Sequence, residues 1–378
     1  MQVLAIDTES NTWNKGNPFD RRFKGVCHSW ADSSDSGADK NNSDSLERLE
    51  SRIRQSDLLV GFNFKYDLHV LRKLGVDIGD KPVWCCQLGE FILSNQQWKY
   101  PSLNESCERR GLGAKIDVIA EKYWKNGIQT EDIPWSEIAE YAEQDAVLTL
   151  KLYQAQQEVM SPSQKRLCRL MCMDLLILQE MEWNGIKFNE ELAHQRTGEI
   201  KAQVREIEER LHAIYPNVPV SFNSGDQLSA FLYGGTIEEE VREHIGFFKT
   251  GAKTGQPRFK VNRITHELPR LFEPLPRSEL KKPGYWATGA DVLLKLRGNR
   301  KTKDILELIQ RRTRLSTLLE KTYEGLMKVH AEQNWEPDYL HGQFNQVTVT
   351  TGRLSSSKPN LQNLDGEAQD LFISRFNT

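Results

Sequence analysis

At 378 residues the chain has room for two or three domains, and an apolar fraction of 38% sets it apart from chains too polar to fold. It contains no apolar run of about 18 residues, so no membrane span is expected. The net charge of −3 hides an asymmetry: residues 1–150 hold 18 Lys/Arg against 24 Asp/Glu, whereas residues 251–330 hold 18 against 8. An acidic front and a basic middle suit a protein that gathers metal ions at one end and phosphates at another, the plainer alternative being solvated surface charge. The six cysteines include no Cys-x-x-Cys pair, and the N-terminus lacks the pattern of a secretion signal. Reduced thiols in a cytosol-like compartment are therefore expected.

The first 150 residues alternate short strands and helices. "QVLAID" is a buried-strand run, "SDSLERLESRIRQS" an amphipathic helix, "DLLVGFN" a second strand, and "KYDLHVLRKLG" a helix closed by Gly75. This alternation predicts an α/β domain. From about 160 the pattern turns helical, through "SQKRLCRLMCMDLLILQEMEWNG" and "NEELAHQRTGEIKAQVREIEERLHAIYP". Residues 234–285 scatter Gly, Pro and Lys/Arg and read as a loop-rich insertion or small subdomain, after which "TKDILELIQRRTRLSTLLEKTYEGLMKVH" resumes a long helix.

Four acids stand at element ends in the first domain. Asp7 and Glu9 close the first strand two residues apart, which puts both side chains on one side. Asp67 opens the helix after the second strand, and Tyr141 precedes Asp145 by four residues, hence on one helical face. Such a set suits Mg²⁺ or Mn²⁺ and metal-assisted phosphodiester hydrolysis, with two ions about 3.5–4 Å apart. Asp7 would bridge both ions, Glu9 and Asp145 would hold the one that carries the attacking water, and Asp67 would reach the other through solvent. Tyr141 would orient the water. Trp13 and Trp124 offer either packing or a surface for a terminal base.

Together these three segments resemble the motifs of the Asp-Glu-Asp-Asp 3′–5′ exonucleases, tyrosine subtype. The resemblance implies a ribonuclease H-like mixed sheet and places Asn63 and Tyr66 at the substrate end.

The resemblance extends further. "EMEWNGIKFN", "FNSGDQLSAFLYG", "DILELIQRRTRLSTLLEKTYEGL" and "QVTVTTGRLSSSKPNLQNL" occur in the order seen in family A DNA polymerases, the polymerase I and phage replicative enzymes. "YWKNGIQTEDIPWSEIAEYAEQDAVLT" is more similar to the phage branch, which implies the cytoplasm of an infected bacterial cell. The likeness implies an exonuclease domain over 1–160, a mainly helical thumb over 161–335 interrupted near 234–285, and the first part of a palm over 336–378. Lys303, Arg311, Arg312 and Arg314 would neutralise DNA phosphates. Arg353 would lie at the primer terminus, followed by Asn360, Gln362 and Asn363. The family's palm metal-binding Asp residues and fingers are not among these residues, so nucleotide addition by this chain alone is not expected. A split or truncated proofreading polymerase follows, with DNA and a second chain bearing the rest of palm and fingers as partners. The apolar tail Leu371, Phe372, Ile373 and Phe376 would mark the contact. The alternatives are a stand-alone 3′–5′ exonuclease and a non-catalytic DNA-holding subunit.

Overall fold

The structure is a computed structural model that describes residues 1–113 and 118–374. Strand β1 (Val3–Ser10) is the expected apolar run, with Leu4, Ala5 and Ile6 buried. It pairs antiparallel with β2 (Gly25–Ala31), which pairs with β3 (Ser36–Lys40). On its other edge β1 runs parallel to β4 (Leu58–Gly61), which neighbours β5 (Val83–Cys85). The result is a five-stranded mixed sheet, β3-β2-β1-β4-β5.

Helix α1 (Ser43–Gln55) begins at Asn42, whose side chain accepts from the Ser45 amide while Ser45 answers to the Asn42 amide, a reciprocal cap. It buries Leu49 and Ile53. Helix α2 (Lys65–Lys73) is followed by Gly75 at φ 83°, a left-handed residue that only glycine adopts without strain. Helices α3 (Cys86–Leu93), α4 (Leu103–Arg109) and α5 (Val118–Lys122) follow. Helix α6 (Trp135–Val159) then packs on β1, β2 and β3. Ala142 and Ala146 are fully buried on it, small enough for close approach, and Ser29 Oγ donates to the Ala142 carbonyl at 2.7 Å.

Helix α7 (Pro162–Asn184) packs against β5, α2 and α3, and its Cys168, Cys172 and Leu175 join the core of the sheet domain. By its contacts the chain forms two compact units, residues 1–190 with 325–378, and residues 191–324. Helix α7, expected with the thumb, thus lies in the first unit, because its buried face is apolar toward the sheet domain. Strand β6 (Ile186–Phe188) follows Gly185.

The second unit contains most of α8 (Glu190–His212), then α9 (Gly225–Tyr233), around a core that includes Leu211, Phe222, Phe231 and Tyr233. The segment expected to be loop-rich is instead dominated by a long ribbon. Strands β7 (Gly235–Phe247) and β8 (Pro257–Leu268) pair antiparallel from Gly235↔Leu268 to Phe247↔Pro257. The backbone ladder makes the ribbon. Within it only Ile237 and Leu268 are buried, so no apolar alternation advertises it. Helix α10 (Ala290–Leu293) leads to α11 (Arg300–Leu318), which continues as a π-helical stretch over Leu319–Tyr323.

The chain returns to the first unit in α12 (Glu324–Gln333) and four short strands, β9 (Tyr339–Leu340), β10 (Gln343–Asn345), β11 (Ser355–Ser357) and β12 (Phe372–Ile373). Strand β6 is central to a sheet ordered β12-β6-β9. The tail expected as an exposed apolar contact is therefore partly docked. Leu371 is fully buried, its carbonyl accepts from Asn189, and Phe372 lies 6.3 Å from Phe188 between ring centroids. Ile373 remains 40% exposed, and Phe376 lies outside the described residues. Among the described residues no helix is long and apolar enough to cross a membrane.

Candidate active site

The site forms where β1 outruns its parallel neighbour. The β1–β4 ladder ends at Ala5↔Val60, which leaves the next amides on that edge without a strand. The N-terminal turn of α2 supplies the acceptor instead: Asp67 Oδ1 takes the Thr8 amide at 3.0 Å and the Thr8 hydroxyl at 2.7 Å. Asp67 is thereby fixed beside the strand that carries Asp7 and Glu9. On α6, Asp145 lies one turn after Tyr141, and both are buried. Carboxylate oxygens of Asp7, Glu9 and Asp145 all lie within 4.8 Å of one another.

The electrostatics show how much negative charge is concentrated there. Burial pushes the Asp67 carboxyl up to about 7, the Thr8 hydrogen bonds oppose this, and the Asp145 charge adds to it. Tyr66 is pushed up by burial and then by Glu9, Asp67 and Asp7, against a hydrogen bond from Ser10. Cys27, opposite Glu9 on β2, is pushed up by burial and then by Glu9 and Asp7. Three neighbours thus register one cluster of carboxylates, a donor set made only of oxygens and suited to a hard divalent cation.

The substrate-side residues are less uniform. Asn63 is exposed at φ 53°, and its carbonyl accepts from the Tyr66 amide, so its backbone forms the turn into α2. The Tyr66 hydroxyl is committed to protein: it lies 2.6 Å from Ser10 Oγ and donates to the Gly16 carbonyl at 3.0 Å. A Cβ at Gly16 would fall 2.7 Å from that hydroxyl, so glycine is what lets the loop close. Trp124 packs edge-on against Tyr141 at 5.6 Å and donates its indole N–H to Thr130. Trp13 is 44% exposed, with the Arg22 guanidinium 4.4 Å above its ring. A cavity of 160 Å³ lined by Ile119, Glu137, Glu140, Tyr141 and Gln144 adjoins the phenol.

Of the expected phosphate contacts, Lys303, Arg311 and Arg314 are exposed and share one face of α11 by their i, i+8, i+11 spacing. Arg312 does not join them. Its buried guanidinium reaches Glu208 at 2.7 Å, the Phe222 carbonyl at 3.2 Å and Asn223 at 2.5 Å, so it binds unit two together. The turn of 100° per residue that puts Arg311 outside puts Arg312 inside. Arg353, Gln362 and Asn363 are exposed, and Asn360 Oδ1 accepts from Ser356 and from the Gln362 amide, capping a short helical turn.

One buried acid carries no local signal in the sequence. Glu182 on α7 is 3% exposed and accepts from Lys65 at 2.5 Å, His69 at 2.8 Å and the Phe344 amide at 2.6 Å. Lys65 also donates to the Phe344 carbonyl. A lysine two residues before Asp67 was the available signal, but its partner lies 117 positions away.

Residues 1–160, which hold this sheet and its carboxylates, match the family model described as 3′–5′ exonuclease. Residues 259–372 match the model of DNA polymerase family A. Over these two stretches the chain is similar to family A DNA polymerases. It is 32% identical over 189 residues to DNA polymerase I of Bacillus subtilis (strain 168), which covers 50% of this chain and 16% of that protein. Identity to DNA polymerase I of Chloroflexus aurantiacus is 27% over 315 residues, 80% of this chain and 28% of the relative. DNA polymerase DpoZ of Salmonella phage PMBT28 is 27% identical over 179 residues, 44% of this chain and 28% of its own length. Bacterial and phage enzymes both stand among these relatives, and the chain spans less than a third of each. The solved POL domain of Pol1 from M. smegmatis, in complex with DNA primer-template and dNTP, shares the fold. Its TM-score is 0.67 at 18% identity, over 98% of this chain and 54% of that one.

Proposed function

We propose that this chain removes nucleotides from the 3′ end of DNA, the proofreading activity of a family A polymerase. The observation that carries the reading is the convergence of Asp7, Glu9 and Asp145 within 4.8 Å, with Tyr141 one turn from Asp145. Asp7, Glu9 and Asp145 would hold Mg²⁺ or Mn²⁺, with Asp67 beside them. Two such ions would supply an activated water and stabilise the leaving 3′ oxygen.

The remaining work belongs to the protein. Thr8 holds Asp67 against the strand, so the acids are in place before substrate arrives. The Tyr141 hydroxyl orients the attacking water by hydrogen bond; an ordinary phenol, with a pKa of about 10, is a poor base at neutral pH. Asn63 presents an exposed amide to the terminal nucleotide, and Tyr66 positions the loop over the strand end rather than touching substrate itself. Primer-template would be held by Lys303, Arg311 and Arg314, with Arg353 toward the primer end. Templated synthesis requires palm carboxylates and fingers beyond these residues, whether they continue this chain or belong to a second one.

The test is a 5′-labelled single strand incubated with the pure chain and Mg²⁺. A ladder shortening from the 3′ end is expected, and Asp7→Ala/Glu9→Ala should abolish it. Retention of the wild-type rate by that double variant sinks the assignment.

A further inference from the structure

The β7–β8 ribbon is longer than the core of its unit requires. From Gly235 to Phe247 the strand advances about 40 Å at roughly 3.3 Å per residue, yet only its base is buried. Isolated two-stranded ribbons are marginal in water, so what the far end displays calls for a reason.

Two kinds of group are displayed there. Cross-strand partners share a face, which puts His244 with Phe259 and Phe247 with Pro257 on one side. Between His244 and Phe247 the strand would ordinarily put the two on opposite faces. A bulge at His244/Gly246, with Gly246 at φ 118°, brings Phe247 back beside His244. The rings of Phe247 and Phe259 lie 5.2 and 5.5 Å from the His244 ring, and they are 59% and 50% exposed. The opposite face carries Arg258 and Lys260, the latter across the ladder from Glu243, and the connecting loop adds Lys249 and Lys253. From His244 to His266 there are five Lys/Arg and no Asp or Glu. Among the described residues only Arg263 of these five is ion-paired, with Glu238 and Glu240 near the base.

We infer that the ribbon is a single-stranded DNA-binding arm, whose rings Phe247 and Phe259 stack on unpaired bases while Lys249, Lys253, Arg258 and Lys260 meet the phosphates. A ligand for this tip must offer flat apolar faces together with closely spaced anions. Unpaired nucleic acid offers both, whereas a duplex hides its base faces. The inference is independent of the exonuclease acids, since no residue of that site takes part.

Fluorescence anisotropy on the full chain in EDTA, with labelled oligothymidylate and a blunt duplex as probes, tests it. Phe247→Ala/Phe259→Ala should weaken oligothymidylate binding about tenfold or more, with little change in its salt dependence. Lys249→Ala/Lys253→Ala/Arg258→Ala/Lys260→Ala should lower the slope of log K against log salt by about 3, at about 0.7 for each phosphate of a single strand. All six side chains are exposed, so circular dichroism should match the wild type. Unchanged oligothymidylate binding in both variants overturns the inference. So does a loss confined to the duplex, or a loss only of binding to a partner protein.

Discussion

Replacement of Glu182 by alanine removes one carboxylate and strands three donors: the Lys65 ammonium, the His69 ring N–H and the Phe344 amide. Burial pushes the Glu182 carboxyl up, but the His69 bond and the Lys65 charge outweigh it and hold the group below the usual carboxylate range. Burial pushes His69 down against the pull of Glu182, and Gln179 donates to its Nδ1 at 3.4 Å, which leaves the Nε2 proton for Glu182. Breaking a buried pair by removing one partner costs about 3–5 kcal/mol, chiefly through the charge left behind. Lys65 is 17% exposed and recovers some hydration, so about 3 kcal/mol is expected for Glu182→Ala. Glu182→Gln, which keeps acceptor and shape, should cost about 2 kcal/mol. Urea unfolding followed by tryptophan fluorescence is the assay, since eight of the nine tryptophans lie in the first unit. The double variant Lys65→Met/Glu182→Ala should be more stable than Glu182→Ala alone, because no orphan charge remains. A loss under about 1 kcal/mol for Glu182→Ala would refute the reasoning, because it would mean the three donors find water.

Arg312→Ala should destabilise the second unit by about 2 kcal/mol, measured by chemical denaturation, because it strands the Phe222 carbonyl and Asn223 while the third-exposed Glu208 turns to water. Arg311→Ala/Arg314→Ala should instead leave stability within about 0.5 kcal/mol and lower the salt slope of duplex binding by about 2. Asp20 is fully buried; burial pushes its carboxyl up, but bonds from Arg22 and Asn334 prevail and hold it down at about 2. A depressed carboxylate stabilises above its unfolded value, near 3.8, and loses that contribution as pH falls toward 2. At about 1.4 kcal/mol per pH unit this is worth about 2 kcal/mol, and Asp20→Asn should flatten the stability profile over that window. Thr8→Val, which deletes a hydroxyl bond to a buried carboxylate, should cost about 2 kcal/mol in thermal or urea unfolding.

What the sequence discloses is what acts locally. Asp7 and Glu9 share a strand, Tyr141 and Asp145 share a helix, and their periodicities place them without knowledge of the fold. The ends of α1, α2 and α7 are likewise marked by a capping side chain, Gly75 and Gly185. Strands β2 and β3 are not legible in the sequence, because "GVCHSWA" and "SGADK" mix polar residues into short runs. Arg312 and Arg311 look alike in the chain and differ only in which side of α11 meets Glu208 and Phe222. Glu182 reads as one more acid in a charged helix until α2 brings Lys65 and His69 to it and the return of residues 343–345 adds the Phe344 amide. The ribbon is held by backbone pairing with little burial, so side-chain pattern could not reveal it.

The pairing of Lys187 with Tyr339 ties together residues 152 positions apart. Closing so long a flexible loop costs about 4 kcal/mol in chain entropy, more than a ladder of two residues per strand returns. Collapse of residues 191–324 into their own core removes most of that cost beforehand, because a folded body replaces a wandering coil. The three-stranded sheet around β6 is therefore the last part of its unit to assemble. On the ribosome β6 emerges early and waits with both edges open until β9 arrives, and with one still open until Phe372 follows. That interval, set by the rate of translation over some 180 residues (about 9–36 s at 5–20 residues per second), is when the nascent chain most needs a chaperone.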